Sequence, residues 1–340
     1  MRNHSKREFL AGALAVLVPG AARAEADGAI VVPISYDTFF PLIPIPTLPV
    51  TLDGKGPYAF SFTTSSDFFI VDADLAQDLG LKPVNGVVNF LMGNRTVSMD
   101  KTEKEQDVAC GSVKVGAFDL GPRHFVLGKI DPKDEVRHRN HLNAPVCDRG
   151  TLGTRMFLET PSRIDFDAGE VRFYPNGSLA LDGFTDLDTH VDTSTAGGKL
   201  IAVAAHLDGE DLRCTVDLIG HAELYLASKY VKKHGLYEKY PDYIEQALDP
   251  SDPSKGTARV VRMRNFRLGG VTFDEINATL GDPKVDDHLG QIDVKAAIGG
   301  GLSRQLNLAF LDNRIFVRPN THFVAVSPPY KVITKDDIPQ

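Results

Sequence analysis

Apolar and polar positions alternate with a period of two along most of this chain, and the alternating runs come round twice. Leu52-Asp53-Gly54 recurs as Leu207-Asp208-Gly209 at an offset of 155 residues, and the same offset carries Gly80-Leu81 onto Gly235-Leu236. In each copy the Asp-Gly pair closes one apolar run (Pro49 to Leu52, Ile201 to Leu207) and opens another. That pattern predicts a β-hairpin with a two-residue turn. Each hairpin leads into a stretch with helical spacing, Ala73 to Leu79 and Leu226 to His234, that stops at a glycine. A glycine there suits the left-handed conformation needed just past a helix end. The copies also finish alike. Thr151-Leu152-Gly153 precedes an alternating run from Arg163 to Pro175 around Asp167-Ala168-Gly169, and Ala297-Ile298-Gly299 precedes one from Leu308 to Pro319 around Asp312-Asn313. Both read as terminal β-hairpins.

The repeat predicts a mainly β chain of two lobes related by duplication, with few short helices. The polar stretch Thr185 to Lys199 separates them, so the first lobe is placed at residues 29–190 and the second at 196–322, with an arm at 323–340. A length of 340 residues suits two cores better than one.

Residues 1–24 do not read as part of the fold. Met1 to Glu8 is basic, Phe9 to Val18 is apolar, and Ala22-Arg23-Ala24 is a small-x-small cleavage site, the order of a signal peptide. Ser5-Lys6-Arg7-Glu8-Phe9-Leu10 resembles a twin-arginine signal with Lys for the first Arg, so either that route or general secretion would deliver the protein to the periplasm or the medium. The apolar stretch is shorter than the ~20 residues a membrane span needs. Phe39 to Val50 is interrupted by Pro41, Pro44, Pro46 and Pro49, so stable membrane insertion is not expected after cleavage.

The formal charge of −8, despite a basic leader, argues against nucleic acid as a partner, because phosphate binding needs a clustered basic surface. The absence of Trp disfavours a carbohydrate-stacking platform. Three cysteines, Cys110, Cys147 and Cys214, allow one bridge; Cys110–Cys147 is the natural pairing, and three buried thiols are the other option. With no Cys-x-x-Cys there is no redox or zinc-ribbon motif. His138 and His141 have ligand spacing, with His124 and Cys147 nearby, but Pro132 and Pro145 make the segment a loop. No metal and no cofactor are expected.

The arrangement resembles the retropepsin-like aspartic peptidase family in its duplicated, bilobal bacterial form. Gly56-Pro57-Tyr58-Ala59-Phe60-Ser61-Phe62 is similar to the strand entering the first Asp loop, Asp78-Leu79-Gly80-Leu81 to the following helix end, and Leu152-Gly153 with Phe157 to the apolar element beside that loop. Ile298-Gly299 is the second copy of that element. The resemblance implies two pseudo-two-fold-related β lobes, an interlobe cleft, and an Asp-Thr-Gly-Ala loop from each lobe. The first loop here reads Thr63-Thr64-Ser65-Ser66 and the second Asp217-Leu218-Ile219-Gly220. One carboxylate and half of the hydroxyl lock between loops are therefore missing, and Asp67 and Asp72 fall too late to substitute. Peptide hydrolysis by two carboxylates needs both, one protonated and one ionised. The expectation is a degenerate peptidase, with Asp217 vestigial or acting alone, that binds a peptide or small molecule in its cleft. The other reading is an active aspartic endopeptidase that pairs Asp217 with a carboxylate from elsewhere. Thr63, Thr64 and Ser65 have no histidine near them in sequence to act as a base, so a hydroxyl-rich turn is the plainer reading of that cluster.

Overall fold

The structure, a computed structural model, describes residues 23–24, 28–37, 45–65, 67–84, 88–92, 95–99, 107–128, 149–193, 199–219, 222–247, 256–281 and 294–334. It is mainly β, with short helices, and its two lobes are built alike.

Each lobe starts from its Asp-Gly turn. Strands Ile45–Leu52 and Lys55–Phe62 pair around Asp53 (φ 47°) and Gly54 (φ 79°). Lys199–Leu207 and Glu210–Val216 pair around Asp208 (φ 52°) and Gly209 (φ 84°). Two successive left-handed residues match the right-handed twist of the flanking strands, which is why Asp-Gly is placed there.

The strand order in the first lobe is Ser35–Asp37, Ile45–Leu52, Lys55–Phe62, Gly150–Leu152, Ile70–Asp72, Phe118–Gly128, Asp107–Val115, Lys82–Val84. In the second it is Thr189–Thr193, Lys199–Leu207, Glu210–Val216, Ala296–Ile298, Leu224–Leu226, Val271–Leu280, Thr257–Leu268, Ile244–Ala247. The two orders correspond strand for strand. Each sheet closes on itself, Ile45–Leu52 pairing with Asp107–Val115 and Lys199–Leu207 with Thr257–Leu268. Closure leaves a barrel whose inward side chains, among them Phe60, Phe125, Phe266 and Phe273, are fully buried. Helix Ala73–Leu79 follows the first loop, capped by Asp72 Oδ1 on the Leu75 amide at 2.9 Å and ended by Gly80 at φ 69°. Helix Ser228–Lys233 and Gly235 (φ 58°) are its counterparts.

A third sheet joins the lobes. Its order is Arg23–Ala24, Ile30–Pro33, Glu170–Phe173, Ser162–Asp165, Leu306–Leu311, Arg314–Pro319, Thr185–Asp186. The two terminal hairpins thus pair with each other, Ser162 opposite Phe310 and Ile164 opposite Leu308. Phe157 links this sheet to the first lobe: its ring stacks on Phe310 at 4.8 Å between centroids and meets the Phe62 ring edge-on at 6.0 Å. Residues 1–22 lie outside the described residues, while Arg23–Ala24 pairs with Ile30 and Val31.

The described part of the C-terminal arm lies on the second lobe. The Asp274 amide donates to the Ala325 carbonyl (2.7 Å) and the Ser327 amide to that of Glu275 (2.8 Å). Arg262 donates to the carbonyls of Ser327 (2.8 Å) and Pro328 (3.1 Å). Gln246, buried on strand Ile244–Ala247, reads both backbone groups of Ile333: Nε2 donates to its carbonyl at 3.0 Å and Oε1 accepts its amide at 2.8 Å. Gln246→Ala should free the end of the arm while leaving the barrel intact. Two lost hydrogen bonds of ~1 kcal/mol each should speed hydrogen exchange at the Ile333 amide by at least tenfold. Unchanged exchange there would mean that the Arg262 contacts hold the arm by themselves.

Cys110 and Cys214 are buried free thiols. Cys147, the other member of the Cys110–Cys147 pairing, lies outside the described residues. Cys110 Sγ donates to the Ser112 carbonyl at 3.2 Å, and burial pushes its thiol up to about 11 and that of Cys214 up to about 12. Both serve as small apolar groups in the barrels.

Candidate functional site

The Thr63 loop and the Asp217 loop meet where the lobes face one another, and they are supported alike. Each follows the second strand of its Asp-Gly hairpin, and its first amide donates to the apolar element alongside. Thr63 N–H donates to the Leu152 carbonyl at 3.0 Å and Asp217 N–H to the Ile298 carbonyl at 2.7 Å. Leu152 and Ile298 are fully buried, and Gly153 and Gly299 lead into helices Arg155–Leu158 and Gly300–Ser303. Gly301 allows a close approach, since a Cβ there would stand 2.8 Å from the Glu223 side chain. The loop turns also correspond. Ser65 N–H donates to Thr63 Oγ1 at 3.1 Å, as Ile219 N–H does to Asp217 Oδ1 at 3.0 Å.

Across the interface, Thr63 Oγ1 lies 3.1 Å from Asp217 Oδ1 and donates to it. Thr63 Oγ1 is also 2.8 Å from Ser65 Oγ. Among the described residues, one loop grips the other from one side: Thr64 Oγ1 donates to the Val216 carbonyl at 2.5 Å. The reciprocal position is Leu218, fully buried and without a hydroxyl. Ile219 is half-buried beside Asp217. Ser66 and Gly220 lie outside the described residues.

The other carboxylates of the first lobe near this loop are engaged elsewhere. Asp67 is buried with Arg155 Nη2 at 3.7 Å, and Asp72 caps its helix with Arg149 Nη2 at 3.3 Å. His124 sits on strand Phe118–Gly128, opposite Ala109, while His138, His141 and Cys147 lie outside the described residues. Among the described residues no cluster of three His, Cys, Asp or Glu is arranged to hold a metal.

Sequence reasoning missed Ser303, whose Oγ donates to the Asp217 carbonyl at 3.1 Å and ties the second loop to helix Gly300–Ser303. A serine 86 positions away carries no local signal of that contact.

The architecture, two closed β barrels repeated strand for strand and joined by a shared sheet, resembles that of aspartic proteases. Solved structures similar to this chain include an aspartic proteinase from Irpex lacteus, at 11% identity over 86% of this chain and 98% of that one, with a TM-score of 0.47. Another is a retropepsin-like aspartic protease from Rickettsia conorii, at 12% identity over 43% of this chain and 90% of that one, with a TM-score of 0.26. No protein-family model and no curated protein matches the chain.

Proposed function

We propose that this protein is an exported, catalytically degenerate relative of aspartic peptidases that binds a peptide or another small ligand between its lobes. The observation that carries the reading is the 3.1 Å contact between Thr63 Oγ1 and Asp217 Oδ1. Aspartic-type hydrolysis works because two close carboxylates share one proton, so that one acts as acid while the other activates water. A threonine hydroxyl has no accessible ionised form near neutral pH and cannot fill either role. On this reading the space between the lobes is left for a ligand, and strand edges there would suit an extended chain held through its main-chain groups. The basic, apolar and small-residue order of residues 1–24 supports export to the periplasm or the medium.

The purified chain should not cleave unfolded protein at any pH between acid and neutral. Pepstatin-sensitive cleavage that disappears in Asp217→Asn would overturn this reading and establish an active aspartic endopeptidase.

A further inference from the structure

We infer that the floor of the interlobe cleft selects a ligand group that donates hydrogen bonds, best an ammonium or guanidinium cation, and rejects carboxylates. The inference rests on the cleft-binding reading above and follows from counting protons.

A carboxylate only accepts, so Thr63 Oγ1 must spend its single proton on Asp217 Oδ1. The 2.8 Å contact between Thr63 Oγ1 and Ser65 Oγ then has only one donor left, the Ser65 hydroxyl. Thr63 Oγ1 also takes the Ser65 amide, so this hydroxyl gives one bond, accepts two, and is saturated. Asp217 Oδ1 accepts from Thr63 and from the Ile219 amide. The Thr64 proton is spent on the Val216 carbonyl. Thr63, Thr64 and Leu218 are buried, whereas Ser65, Asp217 and Ile219 are only half-buried.

Every hydroxyl proton of Thr63, Thr64 and Ser65 is thus consumed inside the floor, as are the Ser65 and Ile219 amides. Among the described residues of the floor, the groups left for a ligand are Asp217 Oδ2, which takes no bond from any of them, and the remaining lone pair of Ser65 Oγ. Both are acceptors, and one carries the charge. A pair of carboxylates sharing a proton would have a donor to offer; the described residues of this floor offer none. A lysine or arginine side chain, or a free amino terminus, would make a charge-assisted bond there. A ligand carboxylate would meet like charge, and a bare carbonyl would be desolvated without a donor.

The test uses the full chain and three labelled hexapeptides of alanine and valine with a central lysine, Nε-acetyl-lysine or glutamate, titrated by fluorescence anisotropy at low salt. The lysine peptide should bind at least tenfold more tightly than the acetylated one, and the glutamate peptide more weakly still. Asp217→Asn should collapse the preference for lysine over acetyl-lysine to within about twofold. Ser65→Ala, which keeps the carboxylate, should retain most of it. Equal binding of all three peptides, with hydrogen-exchange protection at residues 60–65 and 214–219, would overturn the selectivity while leaving the cleft-binding reading in place. No binding and no protection with any peptide would overturn both.

Discussion

Thr63→Asp is expected to restore both carboxylates and yet yield almost no peptidase activity, while the protein loses stability near neutral pH. The new carboxylate would lie close to Asp217, where Thr63 Oγ1 is now 3.1 Å away. Two such groups cannot both ionise without a large penalty, so one is driven above the ordinary carboxylate range. A carboxyl with a raised folded-state pKa holds its proton more firmly in the native state, so stability is highest below the unfolded pKa. It falls as pH rises from there to the folded value. A rise of about two units would remove roughly 3 kcal/mol by neutral pH.

The activity fails for a different reason. Among the described residues the loops are gripped from the Thr64 side, and Leu218 and Ile219 stand where a hydroxyl and a small residue would be needed. The quadruple variant Thr63→Asp, Ser65→Gly, Leu218→Thr, Ile219→Gly should therefore exceed the single one in peptide hydrolysis at acid pH. Thermal midpoints at about pH 4 and pH 7 report the stability cost. Strong hydrolysis by the single variant would show the second loop to be competent as it stands.

The largest loss of stability is expected from Phe157→Ala. The ring is 1% exposed and bridges Phe62, on the strand that enters the first loop, to Phe310 in the sheet shared by both lobes. Deleting it leaves a cavity among elements that cannot collapse onto one another, because each is fixed by its own ladder. The expected cost is ~3–5 kcal/mol, read from the urea midpoint, with Phe157→Leu costing ~1–1.5 kcal/mol. That is a large share of the total stability of a folded protein. Phe157 also lies in the segment whose Leu152 carbonyl holds the Thr63 amide, so ligand binding should weaken along with the fold. A midpoint unchanged by Phe157→Ala would show that the lobes are joined without this contact.

Much of this architecture was legible in the sequence because its signals are local. An Asp-Gly pair between apolar runs requires two left-handed residues and so announces its hairpin, at Asp53-Gly54 and again at Asp208-Gly209. Gly80 and Gly235 mark helix ends for the same conformational reason. The two hairpins and the apolar elements at Leu152-Gly153 and Ile298-Gly299 were enough to align Thr63 with Asp217. What the sequence left undetermined lies in contacts between distant residues. Nothing along the chain says that the hairpins ending at Phe173 and Pro319 pair with each other, because a hairpin with an open edge accepts any partner of suitable register. Nor does it show that Gln246 would read the backbone of Ile333, or that Ser303 would hold the Asp217 carbonyl. The direction of the protons in the floor is the clearest case. Each of the Thr63 and Ser65 hydroxyls could donate or accept in several ways when taken alone. Only their placement across the lobe interface orders them from Ser65 to Thr63 to Asp217, because a carboxylate offers no proton and a hydroxyl offers one.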